Sequence, residues 1–256
     1  MSLERTFILG LPVDAGSLGD CLQRVRQALA PPRDVAPLHI VTMNAEMSMQ
    51  AQRDPELADI IRRAGLVTPD GSGVVWAVRR RKGAPRITKV AGIELFQALA
   101  GEAANRGWKI YFLGGQPGVA EAAARTLVSR HPGLAVVGVR DGFFKPEDEE
   151  QVLADIASRS PDILVVALGV PRQERFIALH QTRLGVPVAM GVGGSFDVLA
   201  GRVRRAPAAF QALHLEWLYR LIQEPWRLSR MGSTLPQFVG AVLAEPAIAP
   251  SSEAQP

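Results

Sequence analysis

The chain has 256 residues, 47% apolar and 21% charged, with 29 Lys and Arg against 25 Asp and Glu. That length and balance suit one large soluble domain with a small appendage. They exclude a bilayer-spanning chain, because the longest wholly apolar stretches, such as ILVVALGV at 163–170, are only strand-length.

In chain order, FILGLPV at 7–13 predicts a strand or a hairpin, and Leu18, Leu22, Val25 and Leu29 mark one face of a helix over Leu18–Leu29. HIVTMN at 39–44 reads as a strand running into a loop, followed by helices over Ala45–Ala51 and Pro55–Ala64. LVTPDG at 66–71 is a short strand ending in a turn, before a helix over Val74–Arg80. A helix over Gly92–Arg106 precedes the strand KIYFLGG at 109–115, and another follows over Val119–Arg130. LAVVGVRDG at 134–142, a helix over Glu147–Ser158, ILVVALG at 163–169, a helix over Gln173–Leu184 and PVAMGVGG at 187–194 complete the alternation. Strands this continuously apolar are expected to be covered on both faces. Repeated βα units then predict an α/β fold with a Rossmann-like, doubly wound, mostly parallel sheet.

After Gly201 the character changes. Six arginines against two glutamates lie between Arg202 and Arg230, among leucines and tryptophans. Pro207 suits the first turn of a helix, and Phe210, Leu213, Trp217, Leu221 and Ile222 recur at helical spacing. Pro225 breaks that helix, and a second starts over Trp226–Met231. The expected organisation is therefore an α/β core over 1–201, a helical, arginine-rich appendage over 202–244, whose leucines and tryptophans suit either a membrane interface or a core-facing side, and a tail of disordered composition over 245–256.

Cys21 is the only cysteine, so no intrachain disulfide framework and no multi-cysteine zinc site can form. His39, His131, His180 and His214 have no ligand spacing, and no D-x-D pair is present to hold a metal–diphosphate. No metal and no cofactor are expected. The start, MSLERTFILGLPVD, lacks the basic n-region and long apolar run of a signal peptide. A cytoplasmic protein follows, one that meets the membrane only peripherally. The basic run Arg79, Arg80, Arg81 and Lys82 reads first as a solvated surface.

Several strand ends carry polar groups where open α/β sheets bind ligands. In TPDGSG (68–73), Asp70 serves either as a turn former or as a general base. In VTMNAE (41–46), Thr42 and Asn44 can bond a sugar, and Asn44 can equally cap the next helix. LGGQPGVAEAA (113–123) offers backbone N–H groups at Gly114, Gly115 and Gly118 to an anion or nucleotide, yet it matches neither a P-loop nor GxGxxG. In ALGVPRQE (167–174), Gln173 can both donate and accept, while Arg172 and Glu174 can simply be exposed. On a continuous helix Arg220 and Arg227 lie about 20° apart, with Arg230 one turn on. Three such guanidinium groups suit a diphosphate, and the alternative is a core helix with a solvated charged face.

Together these segments resemble the WecG/TagA/CpsF family of bacterial glycosyltransferases (glycosyltransferase family 26) over roughly Phe7 to Val242. The most specific stretches are TPDGSGVVWA, KVAGIELF, YFLGGQPGVAEAAA, PDILVVALGVPRQE, GVGGSFDVLAGRVRRAP and LEWLYRLIQEPWRLSR. The resemblance implies an inverting, metal-independent transferase that uses a UDP-sugar: N-acetylmannosamine, its uronic acid, or glucose. The implied acceptor is a sugar on undecaprenyl pyrophosphate, at the cytoplasmic face of the inner membrane, in cell-surface polysaccharide synthesis. It implies Asp70 as the base, Thr42, Asn44 and Gln173 as substrate contacts, and Arg220, Arg227 and Arg230 as arginines of an appendage that docks on the membrane and closes the site. Asp197 is a weaker carry-over to a sugar contact. Lys89 stands where relatives often carry arginine, which keeps the charge and loses the planar fork. Nucleic acid is not an expected partner, and room is left for a homo-oligomer. Two other readings remain at this point: a nucleotide-dependent Rossmann oxidoreductase, which the missing GxGxxG after the first strand disfavours, and a non-enzymatic basic membrane-binding adaptor.

Overall fold

A computed structural model of the chain describes residues 3–31, 36–204, 206–207, 210, 216–223 and 228–245, with backbone alone at 217, 220 and 228–231. The N-terminal segment is a hairpin: β1 (Glu4–Ile8) pairs antiparallel with β2 (Leu11–Ala15) in a two-stranded sheet of its own. Its turn takes positive φ at both Leu9 (50°) and Gly10 (71°), the geometry that matches the twist of tightly connected strands.

Six parallel strands form the main sheet: β3 (Leu38–Met43), β4 (Leu66–Pro69), β5 (Lys109–Gly114), β6 (Ala135–Arg140), β7 (Ile163–Ala167) and β8 (Val188–Gly191). Their order is β4-β3-β8-β7-β5-β6. The helices are α1 (Leu18–Leu29), α2 (Ala45–Ala51), α3 (Pro55–Arg63), α4 (Ser72–Arg79), α5 (Gly92–Arg106), α6 (Val119–Arg130), α7 (Glu149–Arg159), α8 (Arg172–Leu184), α9 (Ser195–Leu199), α10 (Glu216–Gln223) and α11 (Leu228–Ala244).

The two-residue period of a strand sorts its side chains onto the two faces. Ile110, Phe112, Ile163 and Val165 join one cluster with α1, α5 and α6. There Phe96, Phe112 and Phe196 form a triangle with ring centroids 5.5–5.9 Å apart. Tyr111, Leu113, Leu164 and Val166 face α7 and α8 in a second cluster. Val41, Met43 and Val67 face a third, built from the hairpin, α2, α3, α4 and α11. The Rossmann-like expectation holds.

Coverage on both faces holds for five strands and fails at β6, where every residue but Gly138 is half-buried. That strand is an edge with one neighbour. The other edge, β4, is fully buried because β2 lies against it. The Asp14 carboxylate accepts the Val67 N–H at 2.7 Å and the Arg5 guanidinium at 2.7 and 2.8 Å. The hairpin thus removes an exposed strand edge.

Beyond Gly201 the second helix of the tail is longer than the sequence suggests, and its far end is core. Phe238 and Val242 of α11 are buried against the third cluster. Glu245 closes the same corner: its carboxylate accepts the Leu9 N–H at 3.0 Å and pairs with Arg81 at 3.2 Å. Leu213, Trp226 and the tail beyond Glu245 lie outside the described residues. Among the described residues no helix is long and apolar enough to cross a membrane.

Candidate active site

A cavity opens at the carboxyl ends of β4, β3, β8 and β7, four neighbouring strands running inward from one edge of the sheet. Thr42 and Asn44 reach it from β3, Asp70 from β4, Gln173 from the turn after β7, and Val192–Ser195 from the turn after β8. Crossover connections place loops from non-adjacent parts of the chain at that edge, which is where open α/β sheets take ligands.

The TPDG turn is built by backbone. The Asp70 N–H donates to Met43 O at 2.8 Å, extending the β3–β4 pairing past Pro69 and bringing Asp70 beside Asn44. Gly71, at φ 101°, turns the chain into α4, which has no side-chain cap. A side chain there would be strained. Gly71, not Asp70, is the N-cap residue of α4, and the half-buried Asp70 lines the cavity.

Asn44 takes the capping role and also faces the cavity. Its Oδ1 accepts the Met47 N–H at 2.9 Å and caps α2, and the residue also lines the cavity. The cap uses only the carbonyl end of the amide, which leaves the Nδ2 end for a ligand. Thr42 is buried, with Oγ1 3.4 Å from the Gly191 carbonyl. A Cβ on Gly92 would come within 3.1–3.2 Å of the Thr42 side chain, so a larger residue at the start of α5 would press on Thr42. Gln173 is buried, its Oε1 accepting the Gly193 N–H at 3.1 Å.

Other predicted residues lie elsewhere. Gly114, Gly115 and Gly118 are at the end of β5 and the start of α6 and do not line this cavity. A Cβ on Gly114 would sit 2.4 Å from Ala167 O, and the Gly115 N–H already donates to that carbonyl at 2.9 Å. Gly114 thus serves close backbone approach, while Gly115 serves a turn at φ 73°. Asp197, in α9, is half-buried and outside the lining, and its carbonyl accepts the Arg202 and Val203 N–H groups. Lys89 is near the rim and pairs through Nζ with Glu216 Oε1 at 2.5 Å, where Glu216 itself lines the cavity. The side chains of Arg220 and Arg230, and all of Arg227, lie outside the described residues.

Arg204 and Glu174 are among the residues that escaped the sequence reading. Arg204 adds a guanidinium to the cavity, its backbone held by the Gln223 side chain at 2.8 and 3.0 Å. Nothing in the arginine-rich segment distinguishes it from Arg202, which instead reaches Gln116 and Pro117. Glu174, which the sequence allowed to be simply exposed, is fully buried. Burial pushes its carboxyl up to about 7, partly offset by hydrogen bonds from Gln173 and from a backbone N–H. Among the described residues no three His, Cys, Asp or Glu side chains gather as a metal site. The cavity offers a carboxylate, amides, a hydroxyl and a guanidinium around one space, a set suited to binding a polar, phosphorylated ligand and taking a proton from it.

A family model described as the glycosyl transferase WecG/TagA/CpsF family matches residues 6–251. The chain is similar to an N-acetylglucosaminyldiphosphoundecaprenol N-acetyl-beta-D-mannosaminyltransferase of Bacillus spizizenii, 39% identical over 204 residues, 80% of this chain and 78% of the relative. It is similar also to an enzyme with the same name from Bacillus subtilis, 36% identical over 206 residues, 80% of this chain and 79% of the relative.

Proposed function

The chain belongs to the WecG/TagA/CpsF family of glycosyl transferases and is a glycosyltransferase, and from that premise we propose that it moves one sugar from a UDP-sugar onto a sugar linked to undecaprenyl pyrophosphate. The observation that carries this reading is the convergence of Asp70, Thr42, Asn44 and Gln173 on one cavity from three separate strand ends. The reading displaces the oxidoreductase and the adaptor.

In this mechanism the acceptor hydroxyl attacks the anomeric carbon of the donor in a single inverting displacement. The bond to the UDP oxygen breaks as the new glycosidic bond forms, and Asp70 takes the hydroxyl proton. A positioned base of this kind contributes roughly 10²–10⁴-fold. Thr42, Asn44 and Gln173 orient the donor. The charge that develops on the leaving diphosphate needs cations. Arg204 lines the cavity, and Arg220, Arg227 and Arg230 of the appendage complete the set. No metal is assigned a part. The tail's arginines, leucines and tryptophans dock the protein peripherally on the cytoplasmic face of the membrane, beside the lipid acceptor.

The names of the two relatives make N-acetylmannosamine the first donor sugar to test. Purified protein is incubated with UDP-N-acetylmannosamine, the corresponding uronic acid or UDP-glucose, and a short-chain GlcNAc-pyrophosphoryl lipid, with EDTA present. The expected product is heavier than the acceptor by one hexose-type residue, at a rate unaffected by the chelator. UDP-sugars left intact across the panel would sink the function, and loss of product only with EDTA would sink metal independence.

A further inference from the structure

Glu174 is a buried carboxyl for which the mechanism above has no task. It lies in the first turn of α8, behind the cavity wall, while its neighbour Gln173 lines the cavity. The Gln173 carboxamide is held at both ends: Oε1 accepts the Gly193 N–H at 3.1 Å, and Nε2 donates to Glu174 Oε1 at 2.8 Å. An amide nitrogen carries two N–H groups, so one remains for an oxygen in the cavity. The fold makes room for the pair. A Cβ on Gly191, at the end of β8, would lie 2.6 Å from Gln173 Nε2 and 2.8 Å from Glu174 Oε1.

The arrangement is a poor way to fill a core. Glu174 Oε2 is buried with no hydrogen-bond partner. A buried polar atom left in that state destabilises the fold, and an apolar side chain of similar size would not. Sites that break local rules against stability are expected to be functional ones.

We infer that Glu174 is a positioning residue for the transfer reaction: it fixes the orientation of the Gln173 carboxamide so that one N–H is presented to a ligand oxygen in the cavity. This rests on the proposed function and deepens it. With Gly193 on the carbonyl and Glu174 on the nitrogen, a flipped amide would set N–H against N–H and oxygen against oxygen. Removing Glu174 leaves the nitrogen end unpinned.

The test compares Glu174→Met and Glu174→Gln in the full chain, by sugar transfer and by thermal unfolding. Glu174→Gln keeps an acceptor oxygen of the same reach and should stay within about threefold of wild type. Glu174→Met keeps the volume and loses the acceptor. It should lower kcat/KM for the UDP-sugar at least tenfold while Tm stays level or rises. In a Gln173→Ala background, Glu174→Met should add no further loss, because Glu174 acts only through Gln173. Wild-type rates in Glu174→Met would overturn the inference while leaving the function standing. So would a full additional loss in the Gln173→Ala background, or a fall in Tm with equal damage in both variants. A wild-type protein that transfers no sugar would overturn the function and the inference together.

Discussion

Gly191 and the pair it shelters set the tightest constraint at the scale of single residues. Gly191→Ala would drive a methyl group into the Gln173 amide and the Glu174 carboxylate. Overpacking of this kind costs about 1–3 kcal/mol, so a lowered Tm in thermal unfolding and reduced transfer are expected together. Two buried titrating groups pull stability in opposite directions with pH. Glu174, raised by burial from 4.5 to about 7, is protonated in the folded state while the unfolded chain is ionised. Its contribution is therefore complete below about pH 4.5 and is lost as pH rises to 7. His39, lowered by burial from 6.5 to about 4, contributes stability above pH 6.5 that is lost as pH falls toward 4. Each shift corresponds to about 3 kcal/mol, so the two offset each other between pH 4.5 and 6.5. In Glu174→Met only the His39 trend remains. Chemical denaturation of that variant should show stability rising across this window more steeply than in wild type, and parallel profiles would contradict the assignment. Asp70, Thr42, Asn44 and Gln173 could be singled out in the sequence as polar residues at strand ends, with roles that only the family resemblance implied, and the structure brings them to one cavity. Glu174 could not be, since a glutamate opening a helix looks solvated and only the packing of β8 against α8 shows it buried.

At the scale of elements, α10 matters most for the site. It brings Glu216 and Tyr219 to the cavity and is fastened twice. Lys89 pairs with Glu216 at 2.5 Å, and the Gln223 side chain bonds both the N–H and the carbonyl of Arg204. Gln223→Ala removes two side-chain-to-backbone hydrogen bonds, typically worth about 0.5–1.5 kcal/mol each. They join exposed groups, so their loss should barely move Tm. The seat of α10 and Arg204 should loosen, and steady-state kinetics should show KM for the donor rising several-fold with kcat less affected. An unchanged KM would mean that α10 is not fastened this way during turnover. The core strands could be located from their short continuous apolar runs and the helices from an apolar period of about 3.6. At the start, FILGLPV left strand and hairpin open, because leucine at positive φ carries no turn signature of its own. Nor could the apolar run of β6 disclose that it is an edge, since strand order depends on crossovers and not on local pattern.

For the whole molecule, the junction between the sheet and the C-terminal helices governs both folding and the proposed chemistry. Phe238 and Val242 are buried with Met47 and Val74, so the end of the chain belongs to the third cluster of the core. Phe238→Ala should cost about 3–5 kcal/mol in unfolding experiments. Deleting everything after Gly201 should lower Tm as well as activity. The appendage arginines are therefore better probed by replacing Arg220, Arg227 and Arg230 with alanine, which should abolish transfer at near-native Tm. The broader account depends on a proton leaving the acceptor through one carboxylate at the end of β4. The most direct measurement is UDP release by Asp70→Asn with donor and lipid-pyrophosphate acceptor saturating. The account predicts a fall of at least about 100-fold in kcat, with unchanged Tm and unchanged UDP affinity. Turnover near the wild-type rate in a correctly folded Asp70→Asn protein would contradict it.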